Sequence, residues 1–196
     1  MTGGAWLRGA LAAAVALAAR AEPTVLTVGM ELRYESNGRA GAPWKVESVE
    51  RDLAIAGRTG CLRVRFAPGG PRAGPDVRIT CEDAGTLWSL DTVSGTWKPS
   101  RPLAVGGVLE SIPAARSAHY TVNGESTVGI SGYSLRVLET VVLTIDSTGT
   151  AVRRLRERYA PALGTATWGA FEVPDGDGWK VQQEFRLTAI SPARTR

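Results

Sequence analysis

Hydrophobic and polar residues alternate along most of this chain with a period of two, the signature of half-buried β-strands. The clearest run places Tyr133, Leu135, Val137, Val141, Leu143 and Ile145 on one parity and Ser134, Arg136, Thr140, Thr144 and Asp146 on the other, with Glu139 interrupting the apolar face. Trp179, Val181, Phe185, Leu187 and Ala189 repeat the pattern against Lys180, Gln182, Glu184, Arg186 and Thr188. Shorter strands are expected at residues 26–35, 60–66, 77–82, 86–91, 117–123, 125–131, 150–159 and 165–173. Three reversals have the residues a tight turn needs: Asn123-Gly124, Ser147-Thr148-Gly149 and Asp175-Gly176-Asp177-Gly178.

Residues 45–56 carry two signals. Val46, Val49 and Leu53 have helical spacing, with Glu47 and Arg51 at i and i+4, while Leu53 and Ile55 alternate as a strand does. Strand is the preferred reading. About ten strands are more than a flat open sheet accommodates, so the sheet should curl. The expected fold is all-β: a strongly curved antiparallel sheet forming a half barrel or barrel-like cradle, with few or no helices, a barrel or sandwich being the related outcomes. One domain is expected over residues 22–196. Pro99-Ser100-Arg101-Pro102 and Gly106-Gly107 form its only midpoint, about which Ile55-Ala56-Gly57 with Cys61 to Val64 is echoed by Ile130-Ser131-Gly132 with Ser134 to Val137. That echo fits either a degenerate duplication about residues 99–107 or the ordinary recurrence of a meander.

Composition adds a location. Residues 1–21 combine Arg8 with no acid, a run of nine apolar residues from Ala10 to Ala18, and Ala19-Arg20-Ala21. This reads as a cleaved signal peptide, since a spanning helix needs roughly 20 apolar residues. The mature chain would be exported, periplasmic or secreted, with no transmembrane segment. Of the 23 basic residues Arg8 and Arg20 lie in this leader, leaving 21 against 19 acidic ones, so charge gives no reason to expect a nucleic-acid partner. The bias toward Ala, Gly and Arg reads as bacterial.

An oxidising compartment favours joining the two cysteines, Cys61 and Cys81; two buried thiols are the alternative. A hairpin over the Pro68–Pro75 loop would set them opposite each other, and that register places Arg63 against Ile79 and Arg65 against Val77. Polar and apolar residues would then share a face, so either a bulge shifts the phase or both faces are partly covered.

Candidate chemistry is sparse. His119, the only histidine, alternates with Ala118 and Tyr120 and is expected to face outward. Ser131, in Gly129-Ile-Ser-Gly132, lacks the spacing and strand-to-helix turn of a nucleophile elbow. Asp175 and Asp177 have no third oxygen ligand at loop distance, and a turn is the better reading than calcium. Arg154, Arg156 and Arg158 share one strand face, with Leu155, Glu157 and Tyr159 on the other; a solvated ladder paired with acids is expected. No catalytic residue, metal site or cofactor is expected.

Glu157-Arg-Tyr-Ala-Pro-Ala-Leu-Gly164, a charged strand ending in Tyr-Ala-Pro-x-x-Gly, resembles a recurring motif of uncharacterised exported bacterial proteins, whose sheets are similar to the half-barrel cradle of periplasmic lipoprotein-carrier proteins. Gly57 to Val64 resembles the strand pair preceding such hairpins. The chain departs from that pattern at Ala162, where a second glycine is usual, and in offering no helix to plug the cradle. The resemblance implies a curved antiparallel sheet with a concave apolar face. On that face Trp88, Tyr133, Trp168, Trp179 and Phe185 are the expected ligand-binding residues, with core filling as their other reading. The leading function is a non-enzymatic binding protein for a lipid, an apolar small molecule or a hydrophobic segment of a partner. A structural or partner-binding envelope protein with a filled core comes second and a hydrolase third.

Overall fold

A computed structural model describes residues 24–67, 77–111 and 117–192. The leader at residues 1–21 and the Pro68–Pro75 loop lie outside the described residues. The strands are β1 (Glu31–Ser36), β2 (Arg39–Ala40), β3 (Trp44–Ile55), β4 (Arg58–Phe66), β5 (Val77–Asp83), β6 (Thr86–Asp91), β7 (Thr96–Pro102), β8 (Val108–Ser111), β9 (Ser117–Ile130), β10 (Tyr133–Ile145), β11 (Ala151–Ala160), β12 (Thr165–Asp175) and β13 (Gly178–Ser191). One 3-10 turn, Pro161–Leu163, joins β11 to β12. The fold is all-β and antiparallel, as expected.

All strands join one sheet in the order β7-β6-β5-β4-β3-β1-β13-β12-β11-β10-β9-β8, with β2 paired to β1. Two meanders, β3 to β7 and β8 to β13, thus flank β1. Laid flat, strands about 4.8 Å apart would hold β7 and β8 roughly 50 Å from one another. Residues 103–107 link them, and even fully extended that link spans only about 20 Å. The sheet must therefore curl until its ends approach, and it is nearly closed into a barrel. At the seam Leu103 N donates to Gly85 O, Gly106 N to Val122 O and Val122 N to Gly107 O. Gly107 fits only without a side chain, because a β-carbon there would lie 2.7 Å from Pro102 Cβ. Strand β7 is not among the expected strands; it runs through the Pro99-Ser100-Arg101-Pro102 midpoint. Prolines suit an edge strand, where no ladder partner needs their missing N–H.

Residues 45–55 are strand and Ala56 begins the turn, and bulges explain the helical spacing. Val46 pairs with Phe66 and Val49 with Val64, so one inserted residue keeps both valines on the same face. A second bulge includes Asp52 at φ 55°. The Asn123-Gly124 turn is corrected. Strand β9 runs through it unbroken, the register shifts there by one residue, and the chain reverses instead at Ser131-Gly132, whose φ values of 51° and 83° suit a tight hairpin.

The single apolar face expected along residues 133–145 is corrected too. Leu135 and Val137 are buried on one face, but from Leu138 onward the buried residues are Leu138, Thr140 and Val142, on the other. Both faces are covered around Val137 and Leu138. Leu135 and Val137 belong to a large cluster with Leu26, Met30, Leu32, Val46, Val64, Leu163, Leu187 and Ile190, whereas Leu138 packs with Leu103, Val122 and Tyr159. The residues before β1 and the 3-10 turn supply part of that covering, which strand alternation alone does not reveal. The expected strand over residues 26–35 accordingly starts only at Glu31, with Leu26 and Met30 buried ahead of it.

Cys61 and Cys81 form a disulfide with a Cα separation of 4.3 Å. Arg63 does pair with Ile79 and Arg65 with Val77. Of the two resolutions offered for that conflict, partial covering of both faces holds: Cys61, Cys81 and Ile79 are buried on the face where Arg63 reaches Glu50 at 3.2 Å.

Candidate functional site: the barrel cavity

The curled sheet lines an open cavity of about 620 Å³, within the roughly 300–1,000 Å³ usual for small-molecule sites. One wall is aromatic and aliphatic. Tyr34 and Trp44 lie with ring centroids 4.7 Å apart, and Phe171 and Phe185 at 6.0 Å. Phe185 lies across Gly169, its register partner, where a β-carbon would come within 2.5 Å of the ring. Glycine in the strand therefore makes room for the ring and shapes this wall.

The lining turns polar beyond Phe171, at β11 and β7. Strand alternation turns Leu155, Glu157 and Tyr159 of β11 inward, while Arg101 enters from β7. The Arg101 guanidinium hydrogen-bonds the Glu157 carboxylate, and its Cζ lies 3.8 Å from the Tyr159 ring centroid. These side chains are well buried, Arg101 at 18 % exposure and Glu157 at 6 %. Burial works against the Arg101 charge, but the neighbouring Glu157 outweighs it and holds the guanidinium firmly protonated. Burial likewise raises the Tyr159 hydroxyl above its ordinary range, despite the opposing pull of Arg101 and Arg78. Arg101 Nε is buried without a hydrogen-bond partner.

The Tyr-Ala-Pro-x-x-Gly segment positions this wall. Pro161 starts the 3-10 turn, and Gly164 ends it at φ 60°, its N–H donating to Pro161 O. Arg78 of β5, also lining the cavity, donates to Gly164 O from across the barrel. Thr24 and Val25 both donate to Ala162 O. The turn thus anchors the end of β11, and Tyr159 stands at a fixed place in the lumen.

Of the five aromatics expected on the concave face, Phe185 alone lines this cavity. Trp168 pairs with Arg158 and Arg186 on the opposite face of the sheet, where Arg156 and Arg158 lie 5.7 and 5.8 Å from its ring and its Nε1 donates to Glu184 at 2.8 Å. Trp179 lies under Arg154 at 4.8 Å. Trp88 alternates with the cavity-lining Leu87 and Ser89 and stacks under Arg58 at 4.0 Å. Tyr133 packs against the large cluster. Arginine on tryptophan covers apolar surface while keeping the charge wet, which accounts for these exterior rings. The site residues that sequence reasoning missed are Tyr34, Trp44, Arg78, Arg101, Tyr159 and Glu157. A glutamate sharing a parity with Leu155 and Tyr159 was the available signal.

Several of the other polar candidates have structural partners. Arg154 and Arg156 bind Glu172, and Arg158 lies 3.7 Å from Glu139. Burial would raise the Glu172 carboxyl, but the two arginine hydrogen bonds prevail and hold it below its usual range. His119 is half-exposed beside Ser117 and Glu110, and Ser131 Oγ accepts from Ile190 N. Asp175 pairs with Gly178 to close the last hairpin. Among the described residues no cluster of three His, Cys, Asp or Glu side chains is placed to hold a metal, and no helix is long and apolar enough to cross a membrane. No family model, curated protein or solved structure matches the chain.

Proposed function

We propose that this chain is an exported, non-catalytic binding protein whose barrel cavity takes up a lipid, an apolar small molecule or a hydrophobic segment of a partner. The observation that carries the reading is the cavity of about 620 Å³ between the Tyr34, Trp44, Phe171 and Phe185 rings and the Arg101–Glu157 pair. A lumen with apolar walls and a few fixed polar groups is the usual form of a small-molecule site. Export is supported by the leader-like residues 1–21 and is compatible with the disulfide. Sequencing the N-terminus of secreted protein should find Glu22; an intact Met1 on mature protein would refute export.

Fluorescent fatty-acid probes titrated against the folded protein test the binding. The expected result is a saturable shift in tryptophan emission that is insensitive to chelators and unchanged by His119→Ala. The absence of a saturable shift would transfer the reading to a structural or partner-binding envelope protein.

A further inference from the structure

We propose that the cavity's ligand is an amphipathic molecule, an apolar chain ending in a single carboxylate, with that carboxylate held on the Nε edge of Arg101. The inference rests on the binding reading above and names the chemistry of what binds. It begins from a mismatch: an ion pair is a costly thing to place inside a lumen whose other wall is aromatic, and apolar side chains would fill the same space at no such cost. Arg101 and Glu157 come from strands that are not neighbours in the sheet, so no ladder register brings them together.

The guanidinium has five N–H donors in a planar fork. Glu157 engages Nη1, the Tyr159 ring lies against the Cζ plane, and Nε is left buried with no acceptor. A buried donor without a partner is uncommon in a folded protein, and a ligand acceptor is one way to satisfy it. Glu157 fixes the guanidinium from one edge and Tyr159 from its face, so the remaining edge is held in place before any ligand arrives. A side-on carboxylate is the group that matches such an edge, because two parallel N–H···O bonds form at once. Arg78 lines the same cavity and adds a second cation to this wall, while Glu35, another lining residue, is bound by Arg186 at 2.8 Å. Beside these polar groups stand Leu155, its register partner Phe171, and Phe185, the surface against which an apolar tail would lie.

The test is a displacement assay on the mature protein with the neutral probe N-phenyl-1-naphthylamine at pH 8. Palmitate, methyl palmitate and hexadecanol, which share a chain and differ at the head, are the competitors. Palmitate should displace the probe at about tenfold lower concentration than either neutral analogue. The preference should fall in Arg101→Lys, which keeps the charge and loses the fork, and collapse to within about twofold in the Arg101→Met/Glu157→Gln double variant, which leaves no unpaired charge behind. Equal displacement by acid and ester in the unaltered protein would overturn the carboxylate assignment while leaving the cavity reading intact. That comparison needs no variant to fold. An acid preference that persists in a folded double variant would overturn the placement at Arg101. Failure of the probe and all three competitors to bind would instead refute the cavity reading itself.

Discussion

Arg101 on β7 and Glu157 on β11 meet through the lumen of the barrel, joining two strands that share no edge. Their bond ties the end of the first meander to the middle of the second, close to the seam that residues 103–107 bridge. Removing one partner strands the other charge in a buried site, so Arg101→Met should destabilise the fold by about 3 to 5 kcal/mol. The Arg101→Met/Glu157→Gln double variant should recover much of that loss. Urea denaturation of the unaltered protein, Arg101→Met, Glu157→Gln and the double variant checks it, and losses that simply add would show that the pair is not coupled.

Gly169 and Phe185 are the second determinant of the cavity. Gly169→Val should push the Phe185 ring off its place, since even the first added carbon would sit 2.5 Å from it. The expected outcome is a loss of about 1 to 3 kcal/mol from overpacking, together with weaker binding of an apolar probe. Denaturation and probe titration measure the two effects separately. An unchanged probe affinity would mean that Phe185 does not shape the ligand wall.

On the outer face, Glu172 gives the fold an acid-sensitive contact. Its folded-state pKa lies below the ordinary value of 4.5, so its contribution is present above that value and is lost as pH falls through the lower, folded one. Glu172→Gln should therefore be less stable than the unaltered protein at pH 7. The gap should narrow as pH drops below about 4.5. Thermal melts across that range check the sign, and a gap that widens on acidification would contradict it.

The disulfide closes a loop between residues separated by 20 positions. Replacing both cysteines by serine should cost about 2 to 5 kcal/mol and leave ligand binding unaltered, because neither cysteine lines the cavity. Thiol titration of the unfolded, unreduced protein should find no free thiol.

Alternation carried the strand content, and strand number carried the curvature, because both follow from local pattern and simple spacing. The pairing of Arg63 with Ile79 was also readable, since one disulfide fixes a hairpin's register. Where the reading failed, the cause was long-range. Nothing local marks Asn123 as a bulge rather than a turn, for the extra residue shows only once Gly124 is paired with Glu139 and Val122 with Thr140. The burial switch at Leu138 depends on residues far from β10 in the chain, such as Leu26, Leu163 and Leu103. The tryptophans misled for a related reason. A ring on an alternating strand looks core-facing until the arginines opposite it, Arg154 against Trp179 and Arg58 against Trp88, are known to cover it from outside. The cavity was hardest to read because its polar wall is assembled from β5, β7 and β11, which no single stretch of sequence brings together.

Backbone amide NMR spectra recorded during titration with a single-chain fatty acid test ligand binding in the barrel cavity, because they report where the ligand sits as well as whether it binds. Saturable shifts gathered at Tyr34, Trp44, Arg101, Glu157, Tyr159, Phe171 and Phe185 are the expected result. Shifts that do not saturate, or that gather instead around Trp168 and Trp179 on the outer face, would contradict it.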